Sequence, residues 1–269
     1  MRRALPQAAL ILTALSPLWP QDQPSTRYSN VIDSPSPLHE VAQLLNQRYH
    51  KTVTYEEPIL VWRGDLVPGR FPEASMGLWQ KDRHFVVPTG LDPQHTAVLD
   101  LGVLRAVVES YNSQNSDGPL YKATESQFGL HILPLHMRDA NGEIVEATSL
   151  LDAQVTVASA LRMPSEQLQA LCDAVTAAGN GALQFTYARI RLDIAFAPNG
   201  LLPPRGAAQL LSAKEKEPFS IVWGVSGVTA REALVNLIRL SQTKLTWYLL
   251  CQPGARPQDR FCVLNLDDM

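Results

Sequence analysis

The chain has 269 residues, 45% of them hydrophobic and 18% charged, the balance of an ordinary globular protein. That length suits two small domains at roughly 100–200 residues each, with enough buried surface that no metal or dense disulfide framework is needed. A net charge of −3 argues against nucleic-acid binding, which calls for a basic domain or stripe.

The N-terminus has the pattern of an export signal. Arg2 and Arg3 form a positive start, residues 8–15 are apolar, and residues 16–20 break the run before a polar stretch. Residues 1–24 are therefore expected to be removed, leaving a periplasmic or secreted protein. The apolar run is shorter than the about 20 residues that cross a bilayer, so no transmembrane span is expected in the mature chain. No Cys follows it to accept a lipid. The competing reading is an apolar N-terminus of a cytosolic protein.

A helix is expected from Pro37, with Ser36 as its cap and Pro37 at the first helical position, where a missing N–H is harmless. Leu38, Val41, Ala42, Leu45 and Tyr49 form its apolar stripe, and the phrase PLHEVAQLLNQRYHKTVTYE runs directly from helix into strand. Residues 58–83 show neither helix nor strand period and carry Trp62, Phe71 and Trp79 among Arg63, Arg70 and Gly/Pro breakers. Long irregular stretches inside compact domains are usually functional or disordered. Aromatics beside arginines are the usual hot-spot chemistry, so these five residues are a candidate binding surface. The alternative is that the aromatics fold back onto the first core.

The second helix-to-strand phrase is DLGVLRAVVESYNSQNSDGPLYKAT, with Leu101, Leu104, Val108 and Tyr111 in helical period and Gly102 weakening the start. Residues 130–137 and 143–146 flank Asn141-Gly142, a strong hairpin signal. The third phrase is PSEQLQALCDAVTAAGNGALQFTY, preceded by the strand LLDAQVTV. Its helix has Ser165 and Glu166 in the first turn, a face of Leu168, Leu171, Cys172 and Val175, and Gly179, Asn180 and Gly181 at its end. Residues 196–218, with Pro203-Pro204 and the run KEKE, read as a solvated connection. A strand is expected at residues 219–223, followed by the fourth phrase, TAREALVNLIRLSQTKLTWYLL. Thr229 and Glu232 make a capping box, and residues 261–266 return as a strand after the turn at Gln252, Pro253 and Gly254.

Four such phrases imply an α+β protein of two small domains. They are residues 25–147 and 148–269, each a pair of β-α-β units with two helices on one face of a mixed sheet. The two phrases VTAREALVNLIRLSQTKLTWYLL and LLDAQVTV with PSEQLQALCDAV resemble the short domain at the N-terminus of secretins and TonB-dependent transducers. The likeness covers residues 150–269 and extends more loosely over 27–137. The mature chain is also similar to a group of uncharacterised exported bacterial proteins that share the LDAxVTV strand and the A-R-E/D-A-L helix. The resemblance implies tandem periplasmic interaction modules. No barrel or secretin pore follows, so the expectation is a free-standing pair.

Site chemistry is sparse. Cys172 lies on an apolar helix face and reads as a small buried hydrophobe. Cys251 and Cys262 flank a ten-residue loop between two strands expected to pair. In an oxidising compartment they would either form a cross-strand disulfide or remain two core thiols. The histidines, including His131 and His136, read as surface residues, and nothing converges to bind metal or another cofactor. Gly224 to Gly227 resembles a nucleophile elbow but has Val228 at the last position, so a tight turn is expected there. Glu56 and Glu57 are adjacent and should diverge. Two functions follow. One is an exported, non-catalytic module engaging an envelope protein or ligand. The other is a hydrolase or other enzyme with its site in the interdomain cleft.

Overall fold

The computed structural model describes residues 31–68, 78–88, 98–178, 185–186, 220–242, 244–253 and 260–268. The export signal, Arg70, Phe71, Gly179 to Gly181 and the 196–218 connection lie outside the described residues.

In the first half, β1 (Val31–Ser34) leads into α1 (Pro37–Tyr49) and β2 (Val53–Glu56). A 3-10 turn (Arg63–Asp65), β3 (Leu66–Pro68), β4 (Leu78–Gln80) and β5 (Arg83–Val86) follow. Then come α2 (Leu101–Gln114), β6 (Leu120–Glu125), β7 (Leu130–Arg138) and β8 (Ile144–Glu146). The second half has a 3-10 turn (Leu150–Asp152), β9 (Gln154–Arg162), α3 (Pro164–Ala178) and β10 (Phe185–Thr186). It ends with β11 (Ile221–Thr229), α4 (Ala230–Ile238), β12 (Leu245–Gln252) and β13 (Phe261–Asp268).

The fold is α+β, built on one mixed sheet of order β10-β13-β12-β2-β7-β6, with β8 pairing the end of β7. The contacts β10–β13, β12–β2 and β2–β7 are parallel, and β12–β13, β6–β7 and β7–β8 are antiparallel. Two antiparallel ribbons, β1/β5 and β11/β9, stand apart from it, as does the small β3/β4 hairpin. The helices α1 and α2 contact both the β1/β5 ribbon and the main sheet, and α3 contacts both β9 and β10.

Side chains alternate faces along a strand, and that alternation decides where the two cores sit. On β2, Val53 and Tyr55 join the first-half cluster of α1 and α2. On β12, Trp247 and Leu249 join the second-half cluster of α3 and α4, while Tyr248 points into the first. The two cores therefore lie on opposite faces of the sheet where the halves meet. This is why all four residues of β2 are buried, polar ones included.

Local chemistry explains the elements. The expected capping box forms at α4: Thr229 Oγ1 accepts from the Glu232 N–H, and Glu232 accepts from the Thr229 N–H at 2.9 Å. Asp100 caps α2 by accepting the Val103 N–H at 2.9 Å. The β7–β8 hairpin forms as expected, with Gly142 at φ +87. Three expectations need correction. Ser36 makes no side-chain bond to the α1 start, because its hydroxyl is used by Glu57. Residues 58–83 are not wholly irregular, since β3, β4 and the first residue of β5 fall there; such short strands show no readable period. Gly224 to Gly227 is bulged strand, not a tight turn. The β11–β9 register shifts at Trp223/Val225 and Ser226/Val228, and a Cβ on Gly224 would sit 2.5 Å from the Ser159 backbone.

Candidate functional site

The densest polar chemistry lies where the halves join, at the end of β2. Glu56 is fully buried and faces the second half. Arg231, on the first turn of α4, donates to it twice, Nε to Oε1 at 2.8 Å and Nη2 to Oε2 at 2.7 Å. Ser149 Oγ also donates to Oε2, and the Trp247 indole reaches Oε1 at 3.4 Å. Asp152 takes the remaining guanidinium nitrogen at 2.6 Å. Burial alone would lower the Arg231 pKa, but hydrogen bonds and charge from Glu56 and Asp152 outweigh it and hold the guanidinium charged.

Glu57 is 2% exposed and points the other way. Ser36 Oγ and Tyr55 OH donate to its Oε1, Gln80 Nε2 to Oε2 at 3.1 Å, and the Cys251 N–H to Oε2 at 2.8 Å. All four are neutral donors. Burial pushes the carboxyl above its usual range, against the pull of those hydrogen bonds. Tyr55 OH in turn meets Tyr121 OH at 3.0 Å, and burial raises both phenols well above the ordinary value. The two glutamates diverge, as their adjacency predicts, and their partners do not overlap.

A third polar element tightens the joint. Asn46 on α1 donates to Val53 O at 2.7 Å and accepts the Val53 N–H at 2.5 Å, occupying the strand edge as a peptide would. It also donates to Tyr248 OH at 2.6 Å, and Thr246 Oγ1 donates to Val53 O at 2.9 Å. Asn112 on α2 treats Tyr121 of β6 the same way, at 2.8 and 3.0 Å.

On the Glu56 side, the turn between β6 and β7 leans toward α4 and separates two grooves. One, of about 510 Å³, is lined by Ser126, Phe128, His131, Arg231, Asn236 and Arg239. The other, of about 440 Å³, is bounded by Lys51, Gln127, Arg239 and Lys244. His131 is buried, not on the surface as expected, because both faces of β7 are covered where it meets β2. Its Nδ1 lies 2.8 Å from Thr54 Oγ1 and its Nε2 2.7 Å from Ser126 Oγ. Ser126 Oγ also accepts the Phe128 N–H at 3.0 Å. Desolvation lowers the imidazole pKa to about 4, with Glu56 raising it and Arg231 lowering it. A serine–imidazole contact of this kind is the start of a nucleophilic site, yet the orienting group is a hydroxyl where a triad has a carboxylate.

Of the residues singled out in the aromatic stretch, Trp62, Arg63 and Trp79 are described. The Trp62 ring packs on Gly64 and Gly142, with the Arg138 guanidinium 4.9 Å from its centroid. Trp79, on β4, is 38% exposed, and Arg63 is exposed. The stretch is anchored by the buried Arg83–Asp65 pair at 2.5 Å and by Gln80. Trp62 and Trp79 thus have different surroundings.

Cys251 and Cys262 are bridged, S–S 2.03 Å, at directly opposed positions of β12 and β13. Cys172 is buried and free, its thiol pushed up to about 12 by burial and the nearby Asp173. Among the described residues no group of three or more His, Cys, Asp or Glu could hold a metal ion, and no helix is long and apolar enough to cross a membrane. No family model, no curated protein and no solved structure matches the chain. Sequence reasoning missed His131, Ser126 and Arg231 as a group. The readable signal was Arg231 itself, a basic residue in the first turn of a helix, where the macrodipole disfavours one.

Proposed function

We propose that the chain is an exported, non-catalytic interaction protein made of two copies of a domain like the short N-terminal domain of secretins and TonB-dependent transducers. The observation that carries this reading is the strand pairing. In the first half the strand after the first helix pairs in parallel with the second strand of a hairpin, giving the order β2-β7-β6. In the second half the same rule gives β10-β13-β12. In both, the strands that precede the two helices pair antiparallel as a separate ribbon, β1/β5 and β9/β11. Two five-strand patterns agreeing at all three pairings favour a tandem arrangement over a single unrelated fold.

Surface features support an interaction role. The ribbon β9/β11 carries Leu161 and Val222, directly opposed and 67% and 68% exposed. Val31 and Val86 are opposed in the same manner on β1/β5, at 39% and 42%. Exposed apolar pairs on strand ribbons are suited to partner binding by sheet extension or side-chain docking. Trp79 and Arg63 are exposed as well. The bridged cysteines suit an oxidising compartment, in line with export.

The enzyme reading has one observation in its favour, the Ser126–His131 contact at 2.7 Å. An imidazole with a pKa near 4 is a weak general base at neutral pH, and Thr54 gives the imidazolium no countercharge. The test is twofold. A photo-reactive residue at Leu161 is expected to cross-link the exported protein to a discrete envelope component. A fluorophosphonate probe is expected to leave Ser126 unlabelled. Cytosolic protein with an intact Met1 and no adduct would overturn the proposal, and stoichiometric labelling of Ser126 would replace it with the enzyme.

A further inference from the structure

The backbone of Cys251 is held by the other half of the molecule. At this position β12 has run past the end of β2, so no strand remains to take its outward hydrogen bonds. Two side chains of the first half take them instead. Glu57 Oε2 accepts the Cys251 N–H at 2.8 Å, and Gln80 Nε2 donates to the Cys251 carbonyl at 2.8 Å. Gln80 Nε2 also reaches Glu57 Oε2 at 3.1 Å, so the three residues close a ring. Cys251 Sγ is itself 3.5 Å from the Glu57 carbonyl oxygen. Two residues further in along β12, the Glu57 N–H donates to Leu249 O at 3.0 Å, the last backbone rung between the halves among the described residues. The residue that anchors this end of the seam is thus the one that carries the disulfide.

We propose that the Cys251–Cys262 disulfide is a redox-controlled latch on the seam between the two halves. The bridge fixes Cys251 against β13 and so presents its N–H and C=O to Glu57 and Gln80. Without it the terminal rung of β12 is free to fray, since the residue beyond it pairs with Phe261 alone among the described strands. Both cysteines are buried, so the reductant, of the dithiol class, reaches the bridge when this end of β12 opens. The reductant's thiolate attacks one sulfur of the bridge and forms a mixed disulfide, and the other cysteine leaves as a thiolate that takes up a proton. The second thiol of the reductant then displaces the first cysteine. Two electrons and two protons end on Cys251 and Cys262, and the dithiol leaves as a disulfide. Fraying would remove both first-half contacts to Cys251 together and leave the Glu57 carboxyl short of a donor. The Glu56–Arg231 side of the seam, on the opposite face, would stay closed. The inference is independent of the tandem-domain reading, because it rests on the contacts at Cys251 alone.

The test is amide hydrogen exchange on the full chain, oxidised and after reduction with dithiothreitol. Reduction is expected to speed exchange roughly ten-fold at Glu57 and Cys251, the loss of one or two hydrogen bonds' protection, and to leave β9 and α3 unchanged. In the oxidised protein, Gln80→Ala is expected to reproduce part of that opening without reduction. Faster exchange confined to residues 261–268, with Glu57 unchanged, would overturn the latch. So would a rise spread evenly over the second half, which would mark the bridge as a general stabiliser. C251S/C262S, read the same way, separates the effect of the missing bond from any effect of the reductant.

Discussion

Glu56 and Arg231 stand 175 positions apart and meet in a two-bond clasp that holds the second half's α4 to the first half's β2. Glu56 is fully buried, so removal of the guanidinium leaves a charge with only the Ser149 hydroxyl and a long indole contact. Arg231→Ala is expected to cost about 3–5 kcal/mol in a urea titration, the range for breaking a buried pair by deleting one partner. Arg231→Ala with Glu56→Gln should recover part of it, because the orphan is then neutral. A loss below about 1 kcal/mol would mean that water reaches Glu56, and that the clasp behaves as a surface pair.

His131 sets an acid limit on stability. Its folded pKa, about 4, lies below the unfolded value of 6.5, so as pH falls the unfolded chain takes up this proton first. The stabilising contribution is therefore complete above pH 6.5 and is lost as pH drops from there toward 4. The span corresponds to about 3 kcal/mol at most. Stability measured across that window should fall for the natural protein and fall less for His131→Gln. Equal slopes for the two would show that His131 titrates normally and is not enclosed by Thr54 and Ser126.

Glu57 acts with the opposite sign. Burial raises its folded pKa above 4.5, so the folded state holds the proton more tightly than the unfolded one. Its contribution is fully present below pH 4.5 and is lost as pH rises through the folded value. A carbon-13 NMR titration of the side-chain carboxyl should show a midpoint above 4.5, set apart from the exposed glutamates. A midpoint at or below 4.5 would mean that its four donors outweigh desolvation.

The helices were legible because each presents a clean apolar stripe, and α4 carries its own capping box in Thr229 and Glu232. The Asn141-Gly142 hairpin and the pairing of β12 with β13 were legible for equally local reasons. The β1/β5 ribbon was not, since four-residue strands bear no period and their pairing spans the whole of α1 and β2. The character of His131 was hidden for a different reason. A histidine on a strand is read as outward when the other face is apolar, but here each half covers one face of the shared sheet. Glu56 and Glu57 were read to diverge, which they do; the partners that tie them to the second half, Arg231 and Cys251, lie 175 and 194 positions away and leave no trace in the local sequence.

Trp62 and Trp79 separate the packing and binding roles of the aromatic stretch. Trp62 closes over Gly64 and Gly142 and carries Arg138 on its ring, so it staples the segment to the β7–β8 hairpin. Trp79 sits on the three-residue strand β4 with 38% of its surface in solvent and no ring contact among the described residues. Trp62→Ala is expected to lower stability by about 2 kcal/mol, from lost apolar burial together with a cation–π contact. Trp79→Ala is expected to stay within about 0.5 kcal/mol of the natural protein, as surface substitutions usually do. Capture of an envelope partner should then fail for Trp79→Ala while its thermal unfolding is unchanged. If Trp79→Ala destabilises as much as Trp62→Ala, both rings belong to the core and the candidate surface reduces to the exposed ribbons.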